Sequence, residues 1–301
     1  MSKSEMSIVI TTPTGNIGSR VAALLVESGA QVTLIARHKE KVAHLAARGG
    51  EVIVGSHGDQ DLLVEATRGA DSLFLATPPN MQTDDILAHY RTFAEAACVA
   101  IAENNISRVV HLSSVGAEQP SGTGPIVGLH RTEASLGKVA KNIVHLRPAY
   151  FMENTLGQIH SIASTGQLFT PMQGSTTFPM IATRDIADRA AALLKGGTFK
   201  GQSVVELMGP EDMSYDKVAA VLSDVLGRPL KHTTVPGSAL VESIMQFGGS
   251  KHAGEYLLEL STAVENGHIH FSGERNDFNR TPTTYRTFAE TRFKAAFDAA
   301  A

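Results

Sequence analysis

The stretch that decides the fold is Ser7-Ile-Val-Ile-Thr-Thr-Pro-Thr-Gly-Asn-Ile-Gly-Ser-Arg20. Its β-branched start predicts a short strand, and apolar residues recur from Ile17 onward at helical spacing. A turn that contains Gly15 and Gly18 joins the two elements. This order of strand, glycine turn and helix is typical of a dinucleotide site, because the unpaired N–H groups of the first helical turn can bind a pyrophosphate.

The turn lacks one glycine of the usual pattern, since Thr12 stands where a third glycine would complete the spacing. A residue before proline favours extended backbone, and Pro13 has no N–H to offer, so position 12 needs no glycine. We therefore expect the phosphates to contact backbone N–H groups and the Thr14 hydroxyl. The expected cofactor contacts of the turn are Thr12, Thr14, Gly15, Asn16, Ile17 and Gly18.

The end of the second predicted strand indicates which dinucleotide binds. An acidic residue there binds the ribose 2′-hydroxyl of NADH, whereas arginine accommodates the 2′-phosphate of NADPH. The sequence has Arg37 and Lys39, with no carboxylate before Glu40. It therefore predicts NADPH as the cofactor and disfavours NADH. The alternative is that Arg37 and Lys39 are only the solvated start of a helix.

Composition limits the class of protein and its partners. The formal charge of −4 over 301 residues gives no support for a nucleic-acid partner. No apolar run approaches the roughly 18 residues of a membrane span, and the polar start is not a secretory signal. A single cysteine, Cys98, excludes an intrachain disulfide. We expect a cytoplasmic protein with no membrane partner, either a monomer or a homodimer.

The first half alternates predicted strands and helices, which predicts an α/β protein with a doubly wound parallel sheet of the Rossmann type. The predicted strands are 7–11, 31–36, 51–54, 72–76, 108–112, 142–146 and, later, 203–208. The predicted helices are 16–28, 39–48, 60–68, 86–103, 130–139, 184–194, 214–226 and 283–299. Residues 1–150 are expected to form the dinucleotide-binding core and 151–301 mostly a smaller substrate-binding lobe, with elements at about 181–208 returning to the core.

Several short motifs together resemble one family. They are Thr-Gly-Asn-Ile-Gly-Ser-Arg at 14–20, Leu-Ile-Ala-Arg at 34–37, Ala-Thr-Pro-Pro at 76–79, His-Leu-Ser-Ser-Val-Gly-Ala at 111–117, Leu-Arg-Pro-Ala-Tyr-Phe-Met-Glu-Asn at 146–154, Arg-Asp-Ile-Ala at 184–187 and Met-Gly-Pro-Glu with Ser-Tyr at 208–215. With these motifs, the chain resembles the NmrA-like branch of the atypical short-chain dehydrogenases/reductases. That branch includes NAD(P)H-dependent quinone, azo-dye and triphenylmethane reductases, ketoreductases of aromatic natural products, and redox sensors that bind NAD(P) without turnover.

The resemblance also implies roles for individual residues. It implies that Thr77 and Pro78 line the central part of the cofactor, and that Ser113 and Ser114 face the nicotinamide. It further implies that residues after the sixth strand pack around the carboxamide and that Asn154 lies near the substrate. The residues expected around the carboxamide are Pro148, Ala149 and Phe151.

The usual proton donor of short-chain reductases, a Tyr-x-x-x-Lys pair, does not occur between residues 122 and 141. His130 is the closest substitute because an imidazole can donate a proton near neutrality. It would start a helix, and Glu133 would orient its ring. The alternatives are that His130 contacts the cofactor or only packs. Ser113 or Ser114 could hydrogen-bond a carbonyl, or could equally cap the backbone.

The sequence contains further candidates for metal binding and for the substrate pocket. His268 and His270 would share one face of a strand, but they lack further ligands at metal-site spacing, so no metal is expected. Met245 and Phe247 are candidates to line the substrate pocket, with Gly248-Gly249 as a lid, although plain packing is the alternative.

The sequence therefore predicts an NADPH-dependent reductase that transfers hydride to a ketone or quinone of an aromatic, hydrophobic small molecule. A quinone or a hydroxyl-flanked ketone accepts hydride with little acid help, which suits a site without the usual tyrosine. The alternative is an NAD(P)-binding sensor without catalysis that acts through a protein partner.

Overall fold

The computed structural model describes residues 6–196, 199–271 and 273–300. Its strands are β1 Ser7–Ile10, β2 Gln31–Ala36, β3 Glu51–Val54, β4 Ser72–Leu75, β5 Arg108–Leu112, β6 Ile143–Pro148, β7 Tyr150–Phe151, β8 Gln167–Thr170, β9 Phe178–Ile181, β10 Gln202–Leu207, β11 Asp212–Met213 and β12 Lys231–Thr234. Its helices are α1 Asn16–Glu27, α2 Ala43–Ala46, α3 Gln60–Ala66, α4 Ile86–Asn104, α5 Ile126–Leu136, α6 Ile159–Thr165, α7 Thr183–Gly196, α8 Tyr215–Leu226, α9 Gly237–Gln246, α10 Lys251–Glu265, α11 Tyr285–Phe288 and α12 Lys294–Ala300. Lys39–Val42 and Met152–Gln158 are 3₁₀-helical, and Ala289–Phe293 is π-helical.

The main sheet has seven strands in the order β10-β6-β5-β4-β1-β2-β3. All its strand pairs are parallel. Winding reverses between β1 and β4, and ligands of such sheets bind in the crevice outside the carboxyl ends of the strands at this point. The predicted doubly wound α/β fold is confirmed.

Three local predictions need correction. The helix predicted from residue 130 begins at Ile126, directly after Pro125, so His130 lies one turn inside α5. The helix predicted over 39–48 is a 3₁₀ turn followed by the short α2. His268 and His270 do not lie on a strand, because α10 ends at Glu265 and Gly267 turns the chain with a φ of 71°.

The second half of the chain contributes to two hydrophobic cores. β10 pairs with β6 at the edge of the main sheet, and α7 packs against α1. A separate core is formed by α8, the C-terminal helical segments and the short sheet β11-β9-β7. Ser214 caps α8 by accepting a hydrogen bond from the Lys217 N–H, as Ser at this position predicts. No helix in the described ranges is both long enough and apolar enough to cross a membrane.

The pair α9 and α10 lies over the loops that follow β4 and β5. The Ser250 N–H, which precedes α10, donates to the Met81 carbonyl at 2.7 Å. Farther along α10, the backbone of Gly124 approaches so closely that a Cβ there would lie 2.1 Å from the Tyr256 carbonyl oxygen. The helices are thus held above the carboxyl edge of the sheet, where the ligand crevice opens.

Candidate cofactor and active site

The turn after β1 is fixed from below by Thr11. Its hydroxyl donates to the Phe74 carbonyl at 3.2 Å and accepts from the Ala76 N–H at 3.1 Å. Thr11 is buried, whereas Thr14, Gly15 and Asn16 are exposed at the mouth of the crevice. The hydroxyl therefore joins the ends of β1 and β4 and leaves the following turn facing outward.

The two glycines of the turn have different structural roles. A Cβ on Gly18 would lie 2.0 Å from the Thr12 carbonyl oxygen, so only glycine lets α1 pack this closely on the turn. A Cβ on Gly15 would meet the same oxygen at an ordinary 3.6 Å. Gly15 caps α1 without a side-chain hydrogen bond. The N–H groups of the first helical turn therefore have no side-chain acceptor and remain open to an anion.

A cavity of about 540 Å³ opens beside this turn at the carboxyl ends of β1 to β4. Its walls include Thr12 and Thr14 of the turn, Arg37 after β2, His57 after β3 and Pro78 after β4. Arg37 is exposed and forms no ion pair with any residue in the described part of the chain. The cavity thus borders the ends of four strands and contains the Arg37 guanidinium without an ion-pair partner in the described ranges, two features that suit a dinucleotide with a 2′-phosphate.

His57 is a cavity residue that sequence reasoning missed. Its Nε2 atom lies 3.0 Å from the Ala76 carbonyl oxygen, and its ring packs 4.6 Å from that of Phe93. Burial is the main cause that lowers the pKa of His57 to about 4. Its position could have indicated it, because His57 lies three residues after the end of β3, at the carboxyl edge where ligands of such sheets bind.

A second group of predicted residues meets at the ends of β5 and β6. Sheet-like bonds to β6 continue beyond the end of β5, from the Ser113 N–H to the Leu146 carbonyl at 2.7 Å and from the Val115 N–H to the Pro148 carbonyl at 3.2 Å. The segment that contains Ser113 and Ser114 therefore runs beside the end of β6, where Pro148 lies, and the implied contacts of these residues with the nicotinamide stay a prediction.

Ser113 belongs to a charged network that the sequence did not predict. Its hydroxyl donates to Glu133 Oε1 at 2.5 Å. Both oxygens of Glu133 also accept from Arg147, at 3.0 and 2.6 Å, and Arg147 donates to Glu118 at 3.1 Å. The ion pair is largely shielded from water, since the Arg147 and Glu133 side chains are only 12% and 10% exposed. The Ser113 hydrogen is therefore committed to a carboxylate inside the protein.

His130 is oriented by a different partner than predicted. Its Nδ1 atom lies 2.9 Å from the Ala117 carbonyl oxygen, and a carbonyl can only accept, so Nδ1 carries the proton. The prediction that Glu133 orients this ring is wrong, because Glu133 binds Ser113 and Arg147 instead. Ser114 donates its own hydrogen to the Val115 carbonyl at 2.9 Å.

A buried histidine pair lies two residues before this network on the same two strands. The Nδ1 atoms of His111 and His145 are 3.0 Å apart. Burial lowers the pKa of both rings. When both rings are neutral, the Nδ1–H of one can donate to the Nδ1 lone pair of the other.

The remaining predicted residues lie at the margins of the site. Phe247 is 84% exposed and lines the cavity that also contains Arg37, together with Gly248 and Gly249. Met245 is exposed on α9. Asn154 is exposed and hydrogen-bonds the Tyr150 phenol. The others lie as follows: Phe151 packs on the main core, Lys39 is exposed in the 3₁₀ turn after Arg37, and Thr77 precedes the cavity residue Pro78.

The parallel sheet, the open helix terminus and the cavity define a dinucleotide-binding α/β protein of the short-chain reductase type. The NmrA-like family profile matches residues 4–290, and the chain belongs to this family. The predicted family resemblance is therefore confirmed.

Two of the curated relatives are named reductases. A (4-alkanoyl-5-oxo-2,5-dihydrofuran-3-yl)methyl phosphate reductase of Streptomyces griseus is 32% identical over 225 residues, which cover 74% of this chain and 75% of the relative. An NAD(P)H azoreductase of Xenophilus azovorans is 26% identical over 255 residues, covering 84% and 85%. The prediction of an oxidoreductase is confirmed by these relatives.

Among solved structures, an NADPH-dependent quinone oxidoreductase from Escherichia coli, crystallised with NADPH, superimposes with a TM-score of 0.78. It is 20% identical, and the match covers 96% of this chain and 99% of the other. At this identity the likeness establishes the fold. With the relatives above, it confirms a nicotinamide dinucleotide as the cofactor of this class.

Proposed function

We propose that the protein is an NADPH-dependent reductase that transfers hydride to a quinone, or to a ketone of a similarly electron-poor aromatic molecule. One observation carries this assignment. The hydrogens of Ser113, Ser114 and His130 Nδ1 are all donated to acceptors within the protein. A site built in this way favours substrates whose reduced form needs no acid at the moment of hydride transfer.

The residues present fit NADPH. The first turn of α1 offers unpaired N–H groups to the pyrophosphate, and Gly18 keeps this turn close to the strand end. Arg37 faces the same cavity without an acidic partner in the described chain, which suits the ribose 2′-phosphate. When bound, the cofactor supplies the hydride, and the protein supplies position and shielding from water.

The side chains near the expected nicotinamide can accept protons more readily than they can give them. Because His130 Nδ1 already holds a proton, the neutral ring has only a lone pair at Nε2. The Ser113 hydroxyl likewise donates its hydrogen to Glu133, so its oxygen can only accept a further hydrogen bond. While His130 is neutral, an alkoxide formed from a plain ketone would therefore lack a donor among these three groups.

The chemistry of the hydride acceptor determines how much its reduction depends on a proton donor in the enzyme. Reduction of a quinone leaves a phenolate, and phenols have a pKa of about 10, as tyrosine does. An alkoxide resembles hydroxide, whose parent water has a pKa of about 16. The gap of about 6 units corresponds to about 8 kcal/mol of stabilisation that a plain ketone would need from an enzyme acid.

The relatives support an electron-poor acceptor. Their names give an azo compound, a quinone and an acyl-substituted oxo-dihydrofuran as the groups reduced. Each can delocalise the incoming electron pair onto a heteroatom. We infer a small-molecule substrate of this class for the present chain.

The test is NADPH oxidation by purified protein with menadione, a hydroxylated anthraquinone, an azo dye and cyclohexanone. We expect turnover with the quinones and at least a hundredfold lower kcat/KM with cyclohexanone. Comparable turnover of cyclohexanone would contradict the proposed absence of an acid.

The second candidate is the non-catalytic NAD(P) sensor, and the same committed hydrogens favour it. In that case NADPH would bind, no acceptor would be reduced, and the cofactor would change the affinity for a protein partner. The acceptor panel therefore separates the two functions when NADPH binding is measured alongside it.

A further inference from the structure

A second crevice, of about 530 Å³, begins at Asn16, the first residue of α1. It runs between α1, the start of α7 and the C-terminal helical segments. None of its lining residues also lines the cofactor cavity. It is therefore a separate site that borders the same turn.

The crevice carries an excess of positive charge. Arg20 lies in it but is paired with Asp188 at 2.6 Å. Its one carboxylate, Glu153, accepts hydrogen bonds from the Thr183 N–H and hydroxyl. Arg184 and Arg292 are exposed and form no ion pair within the described ranges, so their two positive charges exceed the single negative charge of Glu153.

Arg292 lies on an unusual stretch of helical backbone. Between α11 and α12, the helix widens to a π turn over Ala289–Phe293. Such turns are rare and are frequently found at functional sites. Thr291 and Arg292 of this turn line the crevice, whereas Phe293 is fully buried in the core. The widened turn thus fixes Phe293 in the core and places Arg292 in the crevice that begins at the start of α1.

We propose that this crevice binds the phosphate group of a second small molecule, held by Arg184 and Arg292. Guanidinium groups bind phosphate through paired hydrogen bonds, and those of Arg184 and Arg292 have no ion-pair partner in the described ranges. The nearby start of α1 adds the positive end of a helix dipole. The volume leaves room for the organic part of a phosphorylated ligand beside the phosphate.

The experiment is equilibrium dialysis of the full chain against radiolabelled inorganic phosphate at constant ionic strength, with and without saturating NADP⁺. NADP⁺ occupies the phosphate contacts of the cofactor cavity and leaves the second crevice to be measured alone. Without NADP⁺ the cofactor cavity can bind phosphate as well, and with NADP⁺ present we expect one phosphate per chain, bound in the second crevice. Arg184→Gln and Arg292→Gln should each weaken it at least tenfold, and Arg286→Gln, an exposed control paired with Asp224, should leave it unchanged.

Three results would overturn the proposal. They are no saturable phosphate binding, binding that survives both arginine substitutions, and binding that disappears when NADP⁺ is present. The last result would assign the arginines to the cofactor itself. Circular dichroism checks that the variants are folded, which their exposed positions predict. The measurement without NADP⁺ needs no enzymatic activity, so this test does not depend on whether the protein is a reductase.

Discussion

The Ser113 hydroxyl donates to the Glu133 carboxylate at 2.5 Å, and this pair determines what the end of β5 can do chemically. Glu133 remains an acceptor because Arg147 binds both of its oxygens. A serine at this position, which sequence reasoning offers as a donor to substrate, is thereby turned into an acceptor.

The Glu133–Arg147 pair should also stabilise the fold. Glu133→Gln removes one charge from a shielded pair, and we expect the free energy of unfolding to fall by about 3 kcal/mol. The matched control is Glu118→Gln, which binds the same arginine but is 35% exposed, and it should cost less than about 1 kcal/mol. Urea unfolding measures both. Equal losses of unfolding free energy in the two variants would show that the shielding of Glu133 from water does not contribute to stability.

Substitutions at Gly15 and Gly18 should differ in their effect on the stability of the fold. Gly18→Ala places a methyl group 2.0 Å from the Thr12 carbonyl oxygen, so we expect a loss of about 2 kcal/mol or more in unfolding free energy. Gly15→Ala meets that oxygen at 3.6 Å and should change it by less than about 1 kcal/mol. Thermal and urea unfolding compare the two. A fully stable Gly18→Ala protein would contradict the close packing of α1 on the turn.

Arg37 should set the preference for NADPH. Arg37→Gln removes the cation at the cavity end, and we expect at least a tenfold higher Kd for NADPH with that for NADH nearly unchanged. Lys39→Gln serves as the control, because Lys39 is exposed outside the cavity wall. Fluorescence titration gives all four constants. If both substitutions raised the Kd for NADPH equally, the preference would come from the general positive charge of this region and not from a contact of Arg37.

Acid should destabilise the protein through His57. The unfolded chain binds a proton near pH 6.5, but the buried ring has a pKa of about 4, so the unfolded state takes up its proton first. The free energy of unfolding therefore falls as the pH drops from 6.5 to 4. His57 alone accounts for up to about 3 kcal/mol of this loss.

His57→Gln keeps a hydrogen-bond donor for the Ala76 carbonyl and should remove this part of the slope. His111 and His145 shift in the same direction, so a residual slope is expected. The exposed His160→Gln is the control. Identical slopes in wild type and His57→Gln would show that His57 titrates normally.

With a quinone as acceptor, His130 should matter little for the rate. Because the phenolate product needs no acid, we expect His130→Ala to lower kcat for menadione less than threefold. Ser113→Ala should behave similarly. A loss of a hundredfold in either variant, with NADPH affinity intact, would restore that residue as the proton donor.

The sequence predicted the sheet well because alternation and turn residues are local signals. The strands around β1 to β5 lie within about one residue of their predicted limits, and Ser214 and Gly227 bound α8 as their chemistry predicts. The start of α5 was predicted four residues too late, since the helix begins at Ile126, directly after Pro125.

The site was only partly predictable. Residues of the turn and Arg37 follow from a local motif and face one cavity. The partners of Ser113 do not, since Glu133 and Arg147 are separated from it by 20 and 34 positions and meet only through the folding of α5 onto β5 and β6. Phe247 lines the cavity of Arg37 because α9 and α10 fold back over the sheet edge, which no local pattern encodes.

The most direct measurement is a single turnover in the stopped-flow spectrometer, with NADPH-loaded protein mixed with menadione. We predict loss of one equivalent of NADPH absorbance per chain, slowed severalfold when the transferable hydrogen of NADPH is replaced by deuterium. Bound NADPH that stays reduced in the presence of menadione and of every other acceptor tested would contradict the assignment as a reductase.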